Sequence, residues 1–184
     1  MEGIPGLAAP QHSGSGKANQ YFLRGFNLDH GTDFSVSLDG APLNLRTNAH
    51  GQGYLDLNFL TPETVETVGY RKGPYFAPVG DFSAAGSATL STFARLPESF
   101  VSTTVGHYNY GRVLGAANVG EGYVAADLTI GDGPWVSPEN LRRGSLFARQ
   151  QIAGWNVSLL GYTSNWNATD QVPLRAIASG ALDR

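Results

Sequence analysis

The chain has 184 residues, enough for one ordinary domain with a sizeable core, and a net charge of only −3, which removes bulk electrostatics as a reason to bind nucleic acid. Charged residues make up 15%, against about 25% in typical soluble domains, while 24 glycines and 11% aromatics suit a turn-rich β protein, either a soluble one or an outer-membrane barrel. The absence of cysteine excludes a disulfide framework and thiolate metal sites, and no apolar run of about 18 residues offers a membrane-crossing helix, which β-strands do not need in order to cross.

Met1 to Gly6 has neither the basic region nor the apolar core of a secretory signal. Ile4 to Gly16 reads as irregular, with a short extended piece at Leu7 to Ala9. Gln20 to Phe26 reads as a strand stopped at Gly25. Phe34, Val36 and Leu38 alternate with small polar residues, the period-two pattern of a half-buried strand, and Asp39-Gly40 turns it into a partner at Ala41 to Leu45. Thr47 to Gly53 is a polar loop. Leu60 to Glu66 looks like a helix start, with Thr61 to cap it, Pro62 at the first position and Glu63 in the first turn. Thr67 to Arg71 is then a strand ended by Gly73-Pro74.

From about Gly86 the texture changes to longer, weakly alternating segments separated by polar turns: Ala88 to Arg95, Phe100 to Tyr110, Tyr123 to Ile130, Leu141 to Ile152 and Trp155 to Trp166. In the clearest of them Val124, Ala126, Leu128 and Ile130 point one way and Tyr123, Ala125, Asp127 and Thr129 the other. A barrel wall and a soluble sandwich both produce this pattern. Trp135, Tyr162 and Trp166 lie near strand ends, where an aromatic girdle or a soluble core would each use them.

Few residues offer chemistry. Gly14-Ser15-Gly16-Lys17-Ala18 lacks the first glycine and the final Ser or Thr of a phosphate loop and reads as a polar turn. No Gly-x-Ser-x-Gly elbow exists. Asp29, His30, Asp33 and His50 form the one His/carboxylate concentration; the spacing matches no closed metal site, and loop hydrogen bonding or a ligand face would use the same residues. Tyr54, Tyr75, Phe76 and Phe82 place aromatics on glycine-rich loops, to meet a ligand or to pack against a wall. His12 and His107 are isolated.

Four turns occur in order: Leu23-Arg24-Gly25-Phe26, Leu38-Asp39-Gly40-Ala41-Pro42, Tyr70-Arg71-Lys72-Gly73-Pro74 and Gly80-Asp81-Phe82-Ser83-Ala84-Ala85-Gly86. Together they resemble the plug domain of TonB-dependent outer-membrane receptors over Ile4 to Ala88, and Thr89 to Arg184, with Asn167 to Pro173, resembles the first barrel strands of the same proteins. The resemblance implies an α+β plug over residues 1–86, followed over 87–184 by antiparallel strands of an incomplete transmembrane β-barrel, mostly β overall. The family's barrels have about 22 strands, so the chain is expected to be a truncated piece of a receptor. It implies a transporter and not an enzyme, in the outer membrane of a Gram-negative bacterium, for a ferric siderophore or another large solute, with no cofactor, no metal and no nucleic acid. The partners implied are an extracellular small-molecule ligand, outer-membrane lipid, and TonB acting through an N-terminal box that is not recognisable before Pro5. The ligand-facing plug loops would carry Asp29, His30, Asp33, His50, Gln52, Tyr54, Tyr75, Phe76 and Phe82. Arg24 and Arg71 would pair with carboxylates of the barrel lumen. The rival readings are a soluble β-rich module binding a carbohydrate-like ligand through the same aromatics, and a metal-dependent hydrolase built on the His/Asp loop.

Overall fold

The structure, a computed structural model, describes residues 1, 3–11, 14–47, 51, 53–169 and 172–182. Three sheets are present among them. The first is small: β1 (Leu7–Ala8), β2 (Phe22–Leu23) and β3 (Phe26–Asn27), all antiparallel. The sequence predicts one strand at Gln20 to Phe26; the structure folds that stretch into a two-residue hairpin. Arg24 and Gly25 both take positive φ, 53° and 84°, as a tight turn of that hand requires.

The second sheet holds β4 (Phe34–Leu38), β5 (Ala41–Pro42), β6 (Val65–Lys72) and β7 (Gly86–Thr92) in the order β5-β4-β7-β6. Asp39-Gly40 turns β4 into β5 as its sequence demands. β4 runs parallel to β7, and β6 antiparallel to it. Phe34, Val36 and Leu38 are buried, and with Tyr21, Leu28, Leu55, Ala88 and Leu90 they make one core. The helix expected at Leu60 to Glu66 reduces to one 3-10 turn at Pro62–Thr64 without a side-chain cap. The β-branched residues Val65, Thr67 and Val68 gain more from pairing with β7 than a helix would return. A second 3-10 turn lies at Ala77–Val79, and the N-terminal unit has no α-helix among its described residues.

Ala88 to Arg95, expected with the later strands, instead lies largely in β7, so the second sheet continues to Thr92. The chain then crosses to a five-stranded antiparallel meander: β8 (Phe100–Val105), β9 (Gly111–Val119), β10 (Gly122–Gly131), β11 (Leu141–Ile152) and β12 (Trp155–Asn165). It is open, with β8 and β12 at its margins among the described residues. A short helix, α1 (Leu174–Ala178), follows.

The meander has its faces reversed relative to a soluble sheet. On β10, Tyr123, Ala125, Asp127 and Thr129 are buried, while Val124, Ala126, Leu128 and Ile130 are exposed. Register extends the exposed apolar face to Val101 and Val105 on β8, Val113 and Val119 on β9, Leu146 and Ile152 on β11, and Trp155, Val157 and Leu159 on β12. The opposite face carries Arg112, Asn118, Asp127, Thr129, Arg143, Ser145 and Arg149 and turns toward the N-terminal unit. A small apolar cluster of Leu96, Ala116, Tyr123, Ala125 and Phe147 seals that face where the crossing segment lies on it.

Candidate functional site

The polar face of the meander and the N-terminal unit meet through charge. Arg112, near the start of β9, reaches two carboxylates at once. Its Nε and Nη2 donate to Asp127 at 2.9 and 2.5 Å, and Nη1 and Nη2 donate to Glu63 at 2.6 and 2.9 Å. Asp127 is its neighbour on β10; Glu63 sits on the 3-10 turn of the N-terminal unit. The Arg112 fork therefore joins the two parts of the molecule, with a geometry that suits bidentate carboxylate binding.

A second junction forms at the Asp39 turn. The Asp39 carboxylate accepts from the Thr92 amide and hydroxyl, at 2.9 and 2.6 Å, and lies 3.2 Å from Arg149 Nη1, which also donates to the Thr92 hydroxyl at 2.6 Å. The third junction is made by the turn at Gly14 to Gly16. Ser15 N–H donates to the buried Glu139 carboxylate at 3.1 Å, and Trp135 donates its indole N–H to the same group. Trp166 lies so close over Gly16 that a Cβ there would stand 2.1 Å from its ring. Only glycine fits. Gly16→Ala is expected to cost about 1–3 kcal/mol by overpacking and to lower the thermal midpoint, whereas Gly3→Ala, with open space around it, should leave the midpoint unchanged.

The residues named from sequence separate into three groups. Asp29, His30 and Tyr54 come together. His30 is buried, its Nδ1 3.0 Å from the Asn19 carbonyl, its Nε2 3.7 Å from the Asp29 carboxylate and its ring 5.4 Å from that of Tyr54. Asp33 and Phe82 line a cleft of about 440 Å³ with Arg46, Asp81 and Ser83. Tyr75 and Phe76 lie on the β6–β7 connection, Tyr75 folded back on Gly73 and Phe76 under the Arg71 guanidinium at 4.6 Å. His50 and Gln52 lie outside the described residues, as does His12. No group of three or more His, Asp or Glu side chains is gathered for a metal among the described residues.

Arg24 and Arg71 are exposed and form no ion pair among the described residues. The pairs across the boundary have the opposite polarity: the acids Asp39 and Glu63 come from the N-terminal unit and the arginines 149 and 112 from the meander. These four residues were missed from sequence because strand-end arginines next to glycine turns look like the available cations. An Asp127 isolated within an otherwise apolar strand was the one available signal. Tyr162 and Trp166, named for a girdle, face inward; their side-chain polar atoms are buried.

The Arg112 fork holds the Glu63 carboxyl below the usual carboxylate range by hydrogen bonding. Burial instead pushes the Asp56 carboxyl up, against hydrogen bonds from Asn58 and the field of Arg143. Because folded Glu63 binds its proton less readily than the unfolded chain, its contribution is present above the ordinary carboxylate pKa and disappears as pH falls through its lowered value. Unfolding midpoints measured from neutral to acid pH should therefore fall less steeply for Glu63→Gln than for the parent chain.

The N-terminal mixed-sheet unit is thus ion-paired to the polar face of the antiparallel meander. Residues 1–87 match the family model of the TonB-dependent receptor plug domain, which makes this part of the chain a plug domain of the TonB-dependent receptor kind.

Proposed function

We propose that the chain comprises a plug over residues 1–86, its last sheet strand running on to Thr92, followed over 87–184 by wall strands of a transmembrane β-barrel, in a receptor for TonB-coupled uptake of a ferric siderophore or another large solute. The observation that carries this reading is the reversed meander: aliphatic side chains outward on all five strands, with Arg112, Arg143, Arg149 and several hydroxyls inward against the plug. Lipid accepts such an outer face, whereas a soluble sandwich would bury it. The open margins at β8 and β12 would pair with further strands, since lipid cannot satisfy free backbone groups.

Loop lengths orient the wall. Gly120-Glu121 and Ala153-Gly154 are two-residue turns, while 106–110 and 132–140 are longer connections at the other end. Short turns belong to the periplasm and longer loops to the exterior. In this reading the loop before β4 and the β6–β7 connection, with Asp33, Tyr75, Phe76 and Phe82, face away from the periplasm. Those residues, with Asp29, Tyr54, His50 and Gln52, form the ligand-facing loops in this reading, and His30 supports Tyr54 from within. TonB would act from the periplasmic side.

Expression in a Gram-negative host with an export signal, followed by outer-membrane fractionation and alkaline extraction, tests the reading. Retention in the outer-membrane pellet is expected. Recovery as a folded, soluble monomer would favour the carbohydrate-binding module.

A further inference from the structure

Three arginines of the wall point inward: Arg112, Arg143 and Arg149. The plug neutralises two of them, with Glu63 and Asp39. Arg143 is different. Register places it beside Thr129 and Ser164 on the inward face, half-buried, yet among the described residues no carboxylate stands within 4.0 Å of it and none accepts a hydrogen bond from it. Asp56 of the plug interacts with it through the field alone.

Arg143 lines two adjoining clefts. One, of about 410 Å³, is also bordered by Ser15 of the plug, by His107, Tyr108 and Tyr110, and by Glu139, whose carboxylate is taken up by the Ser15 amide and the Trp135 indole. The other, of about 250 Å³, runs between Asn58 and Pro62 of the plug and the Arg112–Asp127 pair. A half-buried guanidinium without a partner keeps all its donors for an incoming group, and burial strengthens its attraction for an anion. Aromatic rings border the same space, so a solute carrying an oxyanion beside a flat or apolar body fits both features.

We propose that Arg143 is the anion-recognising residue of the solute path, and that the transported solute carries a carboxylate or phosphate oxyanion. This rests on the receptor reading and goes beyond it by naming the charge of the ligand and the residue that meets it. Both neighbouring arginines have a plug carboxylate within 4.0 Å, whereas Asp56 acts on Arg143 only from farther off, which leaves the guanidinium donors open to the ligand's own charge.

Calorimetric titration of the full chain in detergent micelles with citrate, with inorganic phosphate and with maltose tests the assignment. Saturable binding of citrate or phosphate is expected, and whichever binds identifies the oxyanion; maltose should give none. Arg143→Gln should weaken that binding by at least about tenfold, the equivalent of one charge-assisted hydrogen bond. Arg142→Gln, on the outward face, should bind as the parent does. If Arg143→Gln does not fold, Arg143→Lys, which keeps the charge without the planar fork, should show weakened binding in its place. The proposal is overturned by absence of saturable anion binding through the millimolar range, by equal binding of maltose, by equal loss in Arg142→Gln, or by unchanged affinity in the Arg143 variant that folds. Membrane extraction run on the same samples keeps the two readings apart: a membrane-retained chain without anion binding sinks only this inference, and a chain that is not retained sinks the receptor.

Discussion

Replacing Leu146 with arginine is expected to abolish stable membrane insertion, at a cost of about 2–4 kcal/mol. Leu146 lies at the middle of β11, on the outward face, opposite Ala126 and Gly161 in the neighbouring strands. A cation there would enter the centre of the hydrocarbon with no partner on that face, since the residues around it in register are small or aliphatic. The control is one residue away. Ser145 points inward, opposite Asp127 and Tyr162, so Ser145→Arg places the same charge beside a carboxylate in the polar interior. Alkaline extraction of membranes should leave Ser145→Arg in the pellet and release Leu146→Arg. Equal behaviour of the two would mean that the faces are not divided between lipid and interior, and the transmembrane reading would fail with them.

Arg112→Gln is expected to destabilise the chain by about 3–5 kcal/mol, the range for removing one partner of a buried charge pair. The size comes mainly from what is left behind. The Asp127 side chain is 10% exposed and Arg112 is its ion-pair partner. Glu63 is 38% exposed, is better hydrated, and should account for about 1 kcal/mol or less. Asp127→Asn added to Arg112→Gln should therefore recover most of the loss, while Glu63→Gln added to it should recover little. A double-mutant cycle on urea unfolding of the detergent-solubilised chain measures both couplings. Limited proteolysis gives a separate readout: with the fork gone, the plug should be cut sooner than the strands. Additive effects of Arg112 and Asp127 substitutions would refute the pairing.

Legibility in the sequence followed the strength of local constraints. Asp39-Gly40 could be read as a turn because few other residue types accept positive φ, and both take it, whereas the positive φ of Arg24 has no such signal in its residue type. β4 and β10 could be read because large apolar residues recur at every second position. β9 was not recognised: its inward positions Leu114 and Ala116 are interleaved with Gly115 and Ala117, so the alternation carries almost no contrast. The helix at Leu60 to Glu66 failed for the complementary reason, as good local capping residues yielded to a sheet partner more than 20 residues away. Assigning Ala88 to Arg95 to the wall missed the parallel pairing with β4, a long-range choice that period two does not encode. The alternation in β10 divides its side chains into two sets, but which set is inside depends on the solvent, water or lipid. The site was least legible. The ion pairs that cross between its two parts join residues about 50 to 110 positions apart, and the seam at Gly16 lay in a segment with the texture of an ordinary linker.

The outward valines, leucines and isoleucines also govern the chain's history before it meets a bilayer. In an aqueous compartment a finished meander would show a broad oily surface and two unsatisfied strand margins, the combination that drives edge-to-edge clumping. If the receptor reading holds, the polypeptide would travel unfolded or escorted and acquire its sheet only where oil is already at hand, so that folding and insertion would be a single event.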